Sequence, residues 1–277
     1  MFSSLVRPPR RASSNRLSLV IVVTALAFAP SRSGAAVFAD QVAGYTPGTA
    51  PANFQTSQAA LGPINGDTSF GGLNPFNPPF ARDHIVIIGA GGSLSLRLSE
   101  PVRTAGGRVG VFVNNGLVDT SADGSGRAGS PPATFSPPPR AIVSVSSDGT
   151  AYVPLIAAPA TFDNPTSAYL DTTIDNYFQP LGSQLADQGK PFLGRLSDFA
   201  GETFPQIRTR LAGSAGGTWL DLSGVPLEQV RFVKFDVPVG ADYRMVVDSV
   251  SAVPEPTGGG VIIVAFATAL IRRSRRS

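Results

Sequence analysis

From residue 84 onward the chain repeatedly alternates apolar and polar side chains with a period of two, the signature of half-buried antiparallel strands. Leu94, Leu96 and Leu98 alternate with Ser95 and Arg97 over residues 93–99, and Val109, Val111 and Val113 repeat the pattern over 108–113. The apolar run at 84–88 predicts a buried strand. Residues 141–145 and 151–155 flank Ser146-Ser147-Asp148-Gly149, and Asp-Gly supplies the backbone conformations of a tight hairpin turn. The hairpin places Val143 and Val145 on one face with Val153 and Leu155. Further strands are predicted at 206–211, 218–222, 229–237 and 243–252, with Phe232, Val233 and Phe235 filling a core. Residues 157–205 keep no clear period; 173–178 and 190–199 read as short helical turns or strands within an insertion at one end of a sheet.

Residues 37–83 are rich in Gly, Pro, Asn and Ala, and the run from Gly71 to Pro79 denies the chain the donors of a regular ladder. This region is expected to drape over the core as loops, with short strands near Val37 and Phe54. A second loop covers 115–139. Many short strands, little helix and frequent Gly/Pro turns predict an all-β fold, an antiparallel sandwich of jelly-roll type over residues 37–252.

The two ends follow other rules. Arg7, Arg10, Arg11 and Arg16 precede the apolar run 17–29, and small residues Gly34, Ala35 and Ala36 follow, the build of a secretory signal peptide over 1–36. Cleavage is placed after Ala36, with Ala35 and Ala39 as alternatives. At the other end, Val253-Pro254-Glu255-Pro256 leads through a glycine run into an apolar stretch, 261–271, closed by Arg272, Arg273, Arg275 and Arg276. Counted from Thr257 the segment would give roughly 22 Å of helix, short for a permanent span. The arginines would resist translocation and make it a stop-transfer element, with the bulk of the chain outside.

This tail resembles the PEP-CTERM signal, with residues 253–256 at the family's motif and the four arginines at its basic end. The resemblance implies a bacterial surface protein held briefly in the inner membrane, processed by an exosortase, then displayed on the cell surface or released among exopolysaccharide and biofilm matrix. The segments SLSL from Ser93, VFVN from Val111, VSSDG from Val145, VRFV from Val230 and VDSVSAV from Val247 are similar to a domain common among such proteins. Asn114 and Asn115 stand where that domain usually carries acidic groups, so a family metal site is not carried over.

Charge and composition narrow the chemistry. Nine of the 22 basic residues lie in the two ends, which leaves the middle acidic and argues against a nucleic-acid partner. There is no cysteine, so disulfides, thiolate metal sites and a cysteine nucleophile are excluded. Ile87-Ile88-Gly89-Ala90-Gly91-Gly92 imitates the start of a dinucleotide fingerprint, but Leu94 takes the third glycine position and a strand follows where a helix is needed. His84 is the only histidine and no Gly-x-Ser-x-Gly elbow accompanies it, so no catalytic residue is assigned and the chain reads as a non-enzyme. No organic cofactor is expected. Calcium is the one inorganic candidate, with Asp163, Asp171 and Asp175 as ligands beside Asn164 and Asn176, and Asn65, Asp67 and Asp83 as a second group; neither has EF-hand spacing. The alternative function is carbohydrate binding through Trp219, Tyr152, Tyr169 or Tyr177, set against a place for Trp219 in the core or at its rim. A secreted hydrolase is a distant third.

Overall fold

A computed structural model of the chain describes residues 36–68, 70–172 and 182–254. Its strands, in chain order, are β1 (Val37–Thr46), β2 (Asp67–Thr68), β3 (Gly71–Gly72), β4 (Val86–Ile88), β5 (Ser93–Arg103), β6 (Arg108–Phe112), β7 (Arg140–Ser146), β8 (Val153–Thr161), β9 (Thr218–Asp221), β10 (Gln229–Asp236), β11 (Met245–Val247) and β12 (Ser249–Val253). One α-helix, α1 (Phe204–Leu211), lies between β8 and β9. The fold is all-β, as the period-two pattern requires.

Eight strands form one curled antiparallel sheet in the order β8-β7-β10-β5-β1-β12-β6-β9. β1 holds its two halves together. Val37 and Phe38 pair with Ala252 and Ser251 of β12, whereas residues 39–46 pair with β5 through two register shifts. Each shift bends the strand and increases its twist, which lets one strand serve both halves. Leu94, Leu96, Leu98, Val143, Val145, Val233 and Phe235 from one half meet Val109, Val111, Leu220, Val250 and Ala252 from the other in a single buried core. The small β4-β11 sheet adds Val86, Ile88, Met245 and Val247 to it. Outside this core, α1 packs Phe204, Ile207 and Leu211 against Phe76, Phe192 and Phe199.

Several elements depart from the expectation, each for a local reason. Residues 206–211 are helical, not extended. Ile207 and Leu211 fit a period of two as well as a separation of four; Phe204 and the caps decide. The Thr203 N–H donates to Gln206 Oε1 at 2.8 Å, Pro205 sits in the first turn, and Ala212 ends the helix at φ 51°. The segment 37–46 is a ten-residue strand where mostly loop was expected, because β5 and β12 supply its ladder from either side, and Phe54 lies in a 3₁₀ turn. In the hairpin Val153 and Leu155 pack against the core that holds Val143 and Val145, while a register slip between Val143 and Ser144 makes Ile156 the cross-strand partner of Val143. Phe232 leaves the core and lies against Gly149, whose added Cβ would meet its ring at 3.0 Å. The last predicted strand is two strands, β11 and β12, parted at Asp248.

Phe235 sits on β10 in the middle of its half-sheet, fully buried and edge-on to Phe162 at 6.2 Å. Phe235→Ala is expected to cost about 3–5 kcal/mol, read as a fall in the urea midpoint with an unchanged slope.

Candidate functional site

The strand directions give the domain two poles. β1 begins beside the end of β12, so the chain enters at Val37 and leaves at Val253 from one place. Val253 is buried and paired with Arg108, and Arg108 reaches the Asp221 carboxylate at 3.1 Å. The turn 103–108 and the loop 222–228 share this terminal pole: Thr104 N–H donates to Glu228 O at 3.1 Å, and Leu222 N–H to Gly107 O at 3.0 Å. Of the expected sorting motif, Val253 and Pro254 are described; Glu255, Pro256, the apolar stretch and Arg272, Arg273, Arg275 and Arg276 lie outside the described residues, as do residues 1–35 of the expected signal peptide. Among the described residues no helix is long and apolar enough to cross a membrane.

At the opposite, distal pole lies an open groove of about 420 Å³. It forms where β1 runs out into residues 49–51, β4 turns into β5 at Gly89, and residues 241–244 link β10 to β11; Pro137 and Pro138, ahead of β7, close one side. Tyr243 is half-buried between exposed Asp242 and Arg244. The Arg140 guanidinium lies over its ring at 4.7 Å, and the Arg140 N–H donates to Arg244 O at 3.0 Å. The stack holds the ring in one orientation and partly hides the arginine, whose Nε is buried without a hydrogen-bond partner.

A third cluster surrounds the junction of β11 and β12. Asp248 is fully buried; its N–H continues the ladder to Phe112 O at 3.0 Å. Its Oδ1 accepts from Asn65 Nδ2 at 3.0 Å, the same amide that reaches His84 O at 3.4 Å, while Oδ2 has no partner. Burial pushes the Asp248 carboxyl up to about 8, against the opposing pull of the Asn65 side-chain and backbone N–H groups. Asp248 therefore ties the 62–84 loop to the last strands as a neutral acid. His84 Nε2 stands 3.8 Å from both Asp67 and Asp83, and its Nδ1 is buried without a partner. Asn65, Asp67 and Asp83 are thus brought together around His84, with Asp248 added from the far end of the chain. Sequence reasoning overlooked Asp248, although an aspartate between Val247 and Ser249 in a run with no turn residues was a signal for a buried acid.

The other calcium candidates that the structure describes make local hydrogen bonds. Asp171 accepts from the Ser183 hydroxyl and from the Ser183 and Gln184 N–H groups, which hold its carboxyl down to about 2. Burial raises the Asp163 carboxyl, and its backbone oxygen accepts from the buried Asn115 side chain at 2.9 Å. Asn114 binds Pro79 O. Asp175 and Asn176 lie outside the described residues. Among the described residues no three His, Asp or Glu side chains converge closely enough to hold a metal ion.

Of the aromatic candidates, Trp219 is a rim residue of the core: its Nε1 donates to Gly216 O at 3.0 Å and its ring meets Phe112 edge-on at 6.2 Å. Tyr169 packs beside Gly66 and Gly182, and Tyr177 lies outside the described residues. Tyr152 crosses the outer face of the sheet, its ring 5.8 Å from Lys234 Nζ and its hydroxyl on Ser95. No protein-family model matches the chain, and no characterised relative is found for it.

Asp248 makes a testable pH dependence. Its carboxyl ionises near 3.8 when unfolded and near 8 when folded, so between about pH 4 and 8 unfolding releases a proton and stability falls as pH rises, by up to about 1.4 kcal/mol per unit. Thermal melts of the wild type should therefore decline from pH 5 to 8. Asp248→Asn, which cannot ionise, should flatten the profile. A profile that is already flat in the wild type would show that Asp248 is not held neutral.

Proposed function

We propose that the chain is an exported surface or matrix protein whose C-terminal tail is a PEP-CTERM signal read by an exosortase, and whose domain, of jelly-roll type, works by interaction and not by turnover. One observation supports this reading above the others: β12 ends at Val253, the first residue of the motif, and it does so beside the start of β1. A domain whose two ends meet at one pole can be held by a membrane segment at that pole without distortion. Residues 254–260 are then the whole tether, at most about 25 Å when extended. An enzyme in the membrane meets the motif within that distance, just outside a strand locked on both sides.

The four tail arginines each cost roughly 2.5–3.5 kcal/mol at the membrane centre. Replacing all four with serine should let the chain pass through the membrane unprocessed, whereas Glu255→Ala should leave it membrane-held with an intact tail. Mass spectrometry of the C-terminal peptide from an exosortase-bearing host is the measurement. Mature protein that still carries Arg272, unaffected in location by either change, would mark the tail as a plain anchor and contradict the proposal.

A further inference from the structure

We propose that the distal groove is a binding site for an acidic sugar residue of an extracellular polysaccharide, built on Tyr243, Arg244, Asp242 and Thr49. The inference rests on the surface-protein reading for its setting and on the groove for its chemistry. The groove lies at the pole opposite the chain ends, so a domain held by its terminal pole turns it away from the membrane. Its volume of about 420 Å³ is within the usual range of ligand clefts, roughly 300–1,000 Å³.

The walls suit a pyranose. Pro51, Pro137 and Pro138 give rigid apolar sides, and Tyr243 offers a half-buried ring fixed in orientation by Arg140. Such a surface takes the C–H face of a sugar at little entropic cost, because neither proline nor a stacked tyrosine has freedom left to lose. Polar groups line the same groove. The Asp242 carboxylate accepts hydrogen bonds, and the Thr49 hydroxyl, already accepting from Ala90 N–H at 2.9 Å, keeps its own hydrogen to donate.

Charge selects the kind of sugar. Arg244 is exposed and makes no ion pair among the described residues, and Arg140 sits beneath the Tyr243 ring with a buried, unpartnered Nε. The groove lining carries one guanidinium, Arg244, and one carboxylate, Asp242, while the Arg140 guanidinium packs against the Tyr243 ring beside them. A sugar carboxylate can take a bidentate, charge-assisted pair of hydrogen bonds from Arg244, whereas a neutral sugar offers it only the weaker uncharged acceptors of its hydroxyls.

The test is calorimetric titration of the full-length chain in detergent micelles with trigalacturonate, maltotriose and triglutamate. Trigalacturonate should bind, with maltotriose and triglutamate each about tenfold weaker or worse. Arg244→Gln, an exposed change that leaves the fold intact, and Tyr243→Ala should each lower trigalacturonate affinity by about tenfold, one charge-assisted pair or one stacking surface being worth that much. Tyr152→Ala, on the outer face of the sheet, should leave it unchanged. If Tyr243→Ala fails to fold, Arg244→Gln carries the test alone. No binding of trigalacturonate, equal binding of maltotriose, or affinity retained in Arg244→Gln would overturn the site, and preference for triglutamate would make it an acidic-peptide site instead. A chain that is sorted normally but binds no sugar would fail this inference while leaving the sorting proposal standing.

Discussion

The pairing of the first strand with the last closes this fold. In a chain without cysteine, no disulfide cross-links the two halves of the curled sheet, and β1 bridges them by giving Val37 and Phe38 to β12 and residues 39–46 to β5. β12 lies between β1 and β6, and β1 between β12 and β5. Neither can leave without breaking two ladders and opening the common core. Because β12 comes from the end of the domain, the sheet cannot be completed until residue 253 is available, and the contacts that close it span nearly the whole domain.

That closure also sets the geometry of function. Entry and exit lie at one pole, and at the opposite pole the ends of β1, β4 and β10 with their connections build a groove that combines an aromatic ring, a carboxylate and an unpaired guanidinium. The two proposals use opposite ends of the same strands. β5 alone, eleven residues from Ser93 to Arg103, separates the poles by roughly 35 Å.

Much of the sheet was legible because its core faces obey a period of two. Leu94, Leu96 and Leu98, or Val109 and Val111, could hardly be placed otherwise. The misreadings arose where local pattern was ambiguous or where a distant partner decided. Ile207 and Leu211 suit either periodicity, and only Phe204 with the Thr203 cap turns the segment into a helix. β1, with Gly44 and exposed polar residues in it, carries little apolar signal, and its strand character comes from neighbours fifty and two hundred residues away. The distal groove was illegible for the same reason: Thr49, Pro137 and Tyr243 belong to three connections that look like ordinary loops until the strands bring their ends together. Local roles of the acidic clusters were equally hidden: Asp171 accepts hydrogen bonds in a turn, and Asn65 holds Asp248 from the far end of the chain.

In the proposed arrangement the domain stands on the membrane by its terminal pole, and the absence of native cysteine makes that orientation directly measurable. Ala105→Cys, in the exposed turn beside the chain ends, and Val239→Cys, 90% exposed after β10, can each carry a single fluorophore in the full-length chain reconstituted in vesicles. Quenching by headgroup-labelled nitroxide lipid should be strong at residue 105 and near zero at residue 239. Equal quenching at the two sites, or stronger quenching at residue 239, would contradict the account.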